Sequence, residues 1–377
     1  MGSKQRRPHD WAPAWQSRHA VLLLPVVLII VITVAGVVTP SDIVLGPLLV
    51  IAPTLTAWSM GPWTTAGIGV LAVAAQAGIG WRSGLLLSRG EIVQLIALAA
   101  LTALVVALSV VRERRLRQLA QVRSVSEAAQ HVLMWPLPKQ LGPLRLASVY
   151  LAAAEEAEIG GDLYAAARTE SAVRVLIGDV RGKGLPAIGE AALVLSAFRE
   201  AAHRHASLPE LAHALELSVG RYLADFEPLD EAGERFVTAL LVEIPDDEPV
   251  VRLTSCGHLA PVVLQPGGRV SSPRLHPAPP LGIGLTGPES HSLDVMPFGT
   301  DDTLLLYTDG VIEARNHHGA FYPLAERAAQ WTISAPQALL HHIQRDLTAH
   351  TSGRLSDDIA LIALHRARRD PGPTATN

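Results

Sequence analysis

What this chain has little of narrows its identity first. A single cysteine, Cys256, among 377 residues excludes an intrachain disulfide and fits a reducing compartment for the soluble part. Flanked by Leu253-Thr254-Ser255 and Gly257-His258, it reads as a small buried residue at a strand end, not as a reactive thiol. Neither sign of charge is in excess: 31 Lys+Arg against 35 Asp+Glu, a formal net charge of -4, leaves no basic stripe to neutralise a phosphate backbone, so nucleic acid is excluded as a partner. Histidines at metal-ligand spacing are missing too; His203, His205, His213, His317, His318, His341 and His342 share no such pattern with the acids and read as surface residues. Charge is scarcest between Ala20 and Val111, where only Asp42, Arg82, Arg89 and Glu91 occur, all at or beside expected loops. With no intramembrane charge pair, a transporter or proton relay has no support.

That same stretch holds four apolar runs, residues 20–38, 43–60, 63–81 and 92–111, each close to the ~20 residues that cross a bilayer. They predict an all-α transmembrane domain of four helices over residues 20–111. Its first run is retained rather than cleaved, since three more follow and no small-residue cleavage site ends it. Lys4, Arg6, Arg7 and Arg18 precede the first span, and Arg112, Arg114, Arg115 and Arg117 follow the last, which places both ends in the cytoplasm. Arg82 and Arg89 in the third loop weigh the other way, and an even number of spans reconciles the two ends. The expected protein is therefore a multi-pass resident of the cell membrane, with residues 1–19 a cytoplasmic segment and the lipid bilayer its first partner. Pro25, Pro47 and Pro53 kink helices, and Gly67, Gly69, Ala72, Ala74, Ala75, Ala77 and Gly78 suit close helix packing.

Residues 112–144 read as a linker. Leu116, Leu119, Val122, Val125, Ala129 and Val132 recur at steps of three or four on a charged helix. That narrow stripe suits a coiled coil, and so a homodimer, as well as it suits a helix lying on the next domain. A helix in this position could also shift to order a site beyond it. Trp135-Pro136-Leu137-Pro138 then forms a stiff elbow.

Over residues 145–365, short apolar runs at 146–153, 173–180, 236–244, 250–255, 261–264, 303–307 and 359–364 have strand composition. Helices are expected at 186–205 and 209–224, each with proline in its first turn, and at 323–331 and 336–350. Strands cluster before and after a central helical pair instead of alternating with helices, which predicts an α+β domain of antiparallel sheets with helices outside. Residues 366–377 read as a disordered tail.

Four aspartates carry the chemistry. Asp162 ends Glu158-Ile159-Gly160-Gly161-Asp162, Asp179 ends Val175-Leu176-Ile177-Gly178-Asp179, Asp309 lies in Tyr307-Thr308-Asp309-Gly310, and Asp357 opens Asp357-Asp358-Ile359-Ala360. Any one alone is more simply a turn. Four carboxylates beside strand-like runs, three of them touching glycine, suit hard divalent cations that take oxygen ligands and keep several waters. Asp358 could exchange roles with Asp357. Gly178-Asp179-Val180-Arg181-Gly182-Lys183-Gly184 mimics a phosphate-binding loop, yet it is one residue short between glycines and has Gly184 where the hydroxyl belongs. Gly160-Gly161-Asp162 mimics the diguanylate cyclase signature, but Leu163-Tyr164 supplies no second acid.

In order and spacing, Ala129-Gln130 through Pro138, Gly160-Gly161-Asp162-Leu163-Tyr164, Gly178 through Gly184, Gly257-His258-Leu259-Ala260-Pro261, Pro280-Leu281-Gly282, Thr308 through Ala314 and Asp357-Asp358-Ile359-Ala360 are similar to the successive motifs of PPM-type metal-dependent serine/threonine phosphatases, in the sporulation-protein-E/RsbU-like branch. The resemblance covers residues 129–364 and omits the membrane segment. It implies a layered β-sandwich between helices and two divalent cations, Mn2+ or Mg2+. By motif match, Asp162 bridges both ions, Asp179 and the Val180 carbonyl hold one, and Asp309 and Asp357 the other. It further implies a phosphorylated cytoplasmic protein as substrate, with a STAS-type anti-anti-sigma factor as one candidate. The Cys-x5-Arg loop of cysteine phosphatases is absent around Cys256, which favours a metal route with no covalent intermediate. Ala165 stands where the branch often has Asp, and Ser255-Cys256 where Asn-Ala is usual, neither at a ligand position. Arg181 and Lys183 are placed to steer a phosphate or simply to be solvated, and His258 reads as structural in preference to a general acid. A catalytically silent signalling scaffold on the same fold is the alternative, and loss of an acid would be its signature.

Overall fold

The computed structural model describes residues 14–38, 45–84, 86–153, 160–226, 235–331 and 335–367; of residues 14–22, 119–120 and 122–132 it describes the backbone alone. The expectations for residues 1–13, for the tail past 367 and for the apolar stripe over 119–132 fall outside what it describes. The chain divides into two compact units, residues 1–122 and 123–377.

In the first unit, helices α1 (Ala14–Val38), α2 (Ile51–Ser59), α3 (Pro62–Arg82) and α4 (Arg89–Leu133) account for the apolar runs. The second run differs from its expectation as a single span. A 3-10 turn over Gly46–Val50 precedes the nine-residue α2, because Pro47 and Pro53 each remove a helix donor. Among the described residues two helical stretches, Pro62–Arg82 and Arg89–Gln118, are long and apolar enough to cross a membrane. Leu23–Val38 and Gly46–Ser59 are shorter apolar helices. Small residues do bring helices close: a Cβ on Gly69 would stand 2.1 Å from Thr102 Cγ2. Arg112 closes the end of α2 by donating to the Ala57 and Trp58 carbonyls at 3.3 and 3.0 Å. The stretch after residue 111, expected as a helix leaving the membrane, continues α4, which runs for 45 residues without a break.

The second unit is built from two antiparallel sheets. One orders β1 (Gln140–Leu141), β2 (Leu144–Leu151), β11 (Ile359–Arg366), β10 (Thr303–Tyr307), β7 (Val262–Gln265) and β8 (Arg269–Ser271). The other orders β3 (Asp162–Arg168), β4 (Ala172–Val180), β5 (Val237–Pro245), β6 (Val250–Cys256) and β9 (Asp294–Pro297). Helices α5 (Leu185–Ala201) and α6 (Leu208–Phe226) pack against the second sheet, while α7 (Asp309–Glu313), α8 (Leu324–Ala328) and α9 (Pro336–His350) accompany the first. This is the expected α+β sandwich between helical layers.

Alternation along β11 explains the layering. Ala360, Ile362 and Leu364 enter the core shared with Leu163, Leu240, Val242 and Leu253, whereas Ile359, Leu361 and Ala363 join Leu339, Leu340, Ile343 and Leu347 of α9. Every residue of β11 is buried, so truncating Ile362 to Ala would cost about 2–5 kcal/mol. At the end of the second sheet, buried Arg174 donates to Glu243 and to the Ala202, His205 and Ala206 carbonyls, fixing the α5–α6 connection.

Four short or alanine-rich strands were not expected from composition: β1, β3, β8 and β9. Asp-Leu-Tyr-Ala-Ala-Ala-Arg in β3 has weak strand propensity, and pairing with β4 along its whole length overrides it. The helix expected over 323–331 shrinks to five residues, while α9 occupies the expected 336–350.

Candidate acid centre

Strand register sets the first two acids. Asp162 opens β3 and lies directly opposite Asp179 on β4. Like charges so paired repel, and burial makes this worse. Asp162 is 3% exposed, and burial, then Asp179, push its carboxyl well above the usual carboxylate range, with Asp358 and Asp309 adding to the effect. Asp179 is pushed up to about 7 by burial and then by Asp309, Asp357 and Asp358, against which Lys183 works.

The other two acids come from the first sheet. Thr308 follows β10 directly, and Asp309 opens α7 rather than sitting in a bare turn. Burial, with Glu313 and Asp357, raises its pKa, while the backbone N–H groups of the first helical turn oppose that rise. Asp357 stands just before β11, half-buried, and its Oδ1 accepts from Lys183 Nζ at 2.9 Å and from the Asp358 N–H at 3.0 Å. Each of the four aspartates thus acts electrostatically on at least one of the others or is acted on by it. No three His, Cys, Asp or Glu side chains among the described residues already stand close enough together to hold an ion.

Backbone approach at the centre is unusually tight. A Cβ on Gly161 would lie 2.5 Å from the Val180 carbonyl oxygen, and one on Gly310 would lie 2.0 Å from the Asp358 carbonyl oxygen. Both positions therefore require glycine. Val180 is buried and its N–H donates to the Gly161 carbonyl at 3.2 Å, so the strand ends bearing Asp162 and Asp179 are stitched together.

Asp358 proves to be a support. It is buried, and its carboxylate accepts from the Tyr150 hydroxyl, from the Ala153 N–H at 2.8 Å and from the Gly160 N–H at 2.7 Å. With both oxygens so engaged it anchors the loop leading to Asp162.

Thr308 was not singled out by sequence, although it lies in a quoted motif. Fully buried, its hydroxyl donates to Asp162 Oδ2 at 2.8 Å and accepts from the Ala360 N–H at 2.9 Å, linking the two sheets. His258 is structural as expected. Burial pulls its pKa down to about 4, so the neutral ring donates from Nε2 to the Tyr307 carbonyl at 3.2 Å and accepts at Nδ1 from Thr238 at 3.1 Å. Its one N–H is committed to a backbone carbonyl. Cys256 ends β6, fully buried, with its thiol pushed up to about 12 by burial, which makes it inert as expected. His213 corrects its surface expectation: it is half-buried in α6, and its Nδ1 is buried without a hydrogen-bond partner. Arg181 lies over the Phe236 ring at 5.1 Å. The Pro280-Leu281-Gly282 motif ties a neighbouring loop down: Leu281 pairs with Val237, and Glu216 accepts from the Gly282, Gly284 and Leu285 N–H groups.

A family model described as stage II sporulation protein E (SpoIIE) matches residues 169–367, more than half of the chain. The match takes in Asp179, Asp309 and Asp357 and starts beyond Asp162. Among solved structures, the RsbU and RsbW domains of Rv1364c from Mycobacterium tuberculosis are 23% identical with a TM-score of 0.50, over 60% of this chain and 61% of that one. The SiaA PP2C domain of Pseudomonas aeruginosa is 16% identical with a TM-score of 0.52, over 64% of this chain and 95% of that one. At such identities the likeness is one of fold, and the fold is that of PP2C-type (PPM) phosphatases. The sandwich, the ordered motifs and the matched span together place the chain in the SpoIIE family.

Proposed function

We propose that this chain is a membrane-anchored, metal-dependent protein phosphatase that hydrolyses phosphoserine or phosphothreonine on a cytoplasmic regulatory protein. The observation that carries this reading is the convergence of Asp162, Asp179, Asp309 and Asp357, from four separate chain segments, into one mutually repelling group. The donor set is hard oxygen throughout, and a buried carboxylate such as Asp162 with a neighbouring acid opposite it is the environment a divalent cation relieves. Asp162 would bridge two ions, Asp179 and the Val180 carbonyl would hold one, and Asp309 and Asp357 the other. Bound Mn2+ or Mg2+ would lower the pKa of a shared water and polarise the phosphoryl group.

The protein's own residues do the positioning. Thr308 commits one lone pair of Asp162 Oδ2 and so fixes the orientation of that carboxylate. Asp358 holds the Gly160 loop through its N–H, and the two tight glycine contacts fix the Val180 and Asp358 carbonyls. No nucleophilic side chain is required, consistent with an inert Cys256.

The apolar helices over residues 20–111 support a multi-pass anchor in the cell membrane, with the catalytic unit cytoplasmic by the flanking basic residues. For the substrate, the Rv1364c neighbour carries RsbU and RsbW domains, which supports a partner in a protein-based regulatory pathway. An anti-anti-sigma factor of STAS type is the first candidate to assay.

The test uses the full chain in detergent micelles. Phosphate release from phosphoserine protein and from p-nitrophenyl phosphate is measured against Mn2+ and Mg2+ for wild type and Asp309→Asn. Metal-dependent turnover lost in the variant is expected. Equal rates in the two proteins, or none with either metal, would replace the enzyme with a silent scaffold.

A further inference from the structure

The loop between β4 and α5 brings a cation to the acids. Lys183 Nζ lies 2.9 Å from Asp357 Oδ1, and Asp358 and Asp179 also act on its charge. Among the described residues no other basic side chain is ion-paired with any of the four aspartates. The pair is 39% and 42% exposed, so neither partner is locked by packing.

We infer that Lys183 is a resident counter-cation of the centre, holding Asp357 until a divalent ion displaces its ammonium. The inference rests on the metal-site reading above and deepens it. An ammonium is a compact single charge that offsets part of the repulsion among four carboxylates. A divalent ion carries twice that charge and takes several oxygens at once, so it wins the exchange when abundant. Because the pair is half-exposed, its loss is a small barrier and the exchange is reversible; a buried pair would shut the ion out. Among the described residues neither Asp162 nor Asp179 is ion-paired with a basic side chain, although the Lys183 charge also acts on Asp179. Its direct contact is with Asp357, so Lys183 chiefly raises the cation concentration at which the Asp309 and Asp357 side fills.

Isothermal titration of MnCl2 into the EDTA-treated full chain in micelles tests this, with Lys183→Met, Lys183→Gln, Lys183→Arg and Asp357→Asn beside wild type. Lys183→Met and Lys183→Gln are expected to tighten the weaker Mn2+ step about three- to fivefold, the range of a half-exposed pair. The tighter step should stay put, Lys183→Arg should restore the wild-type isotherm, and Asp357→Asn should lose the weaker step. If both neutral variants match wild type, or bind Mn2+ more weakly, while Asp357→Asn still loses a step, Lys183 is no counter-cation and the metal-site reading survives. If wild type takes up no Mn2+, or Asp357→Asn titrates like wild type, the metal-site reading falls and this inference with it.

Discussion

The two sides of the acid centre are made differently. Asp162 and Asp179 sit on paired strands, in register, within a sheet whose core residues are almost wholly buried. Asp309 and Asp357 sit just outside strands β10 and β11, on a one-turn helix and a loop end, and a lysine tempers the second of them. A carboxylate built into a strand pair cannot turn away from its neighbour and must carry the repulsion; one placed at a loop end can find a side-chain partner. Charge strain is thus concentrated on the strand side, and adjustability on the loop side.

That contrast can be broken by substitution. Asp162→Asn, removing the proposed shared ligand, should lower turnover by at least about a hundredfold, more than loss of a supporting contact costs, and no Mn2+ concentration should restore it. Asp357→Asn should lose as much at low metal and recover in part as Mn2+ is raised. Rates measured across a metal titration separate the two, and equal recovery would erase the difference between the sides.

A smaller effect is expected from the support beneath them. Asp358→Ala leaves the Ala153 and Gly160 N–H groups without their acceptor, a destabilisation of about 2–4 kcal/mol by urea unfolding. Thr308→Val should weaken Mn2+ binding about tenfold, the lower range for a residue that orients a ligand.

The subtlest test is of pH. The folded-state pKa of Asp179 lies near 7 against an ordinary 3.8, so its protonation stabilises the metal-free fold fully below 3.8 and no longer once pH passes about 7. His258, drawn down to about 4 from 6.5, works in the opposite direction, gaining stability for the fold as pH rises across that interval. The comparison must therefore be between proteins. In EDTA, Asp179→Asn should melt above wild type at pH 8, and that advantage should shrink as pH falls from 8 to 5. A constant difference would mean Asp179 is not strained by its neighbours.

The acids were legible because each lies beside an apolar run and three of them touch glycine, a pattern that survives without knowledge of pairing. Their convergence was not legible from residues alone, since it depends on β3 lying against β4, and the alanines of β3 conceal a strand. Asp357 and Asp358 could not be told apart in sequence. What distinguishes Asp358 is its partners, Tyr150, Ala153 and Gly160, up to 208 residues away. Thr308 escaped notice for the same reason, because a hydroxyl before an Asp-Gly reads as turn chemistry until its two partners, on other strands, are known. In the first unit, hydropathy located the apolar runs, while prolines 47 and 53 decided where one of them breaks.

Strand β11 gives the centre its timing. Because it is sealed between two hydrophobic layers along all eight residues, its amide protons can exchange only when the whole sandwich opens, whereas those of the Lys183 loop can exchange by local motion. A chain emerging from synthesis cannot seat Asp357 beside Asp309 before both layers have closed on that strand. Under the proposed ligand set, copies in which that strand is not yet sealed would lack one of the four acids.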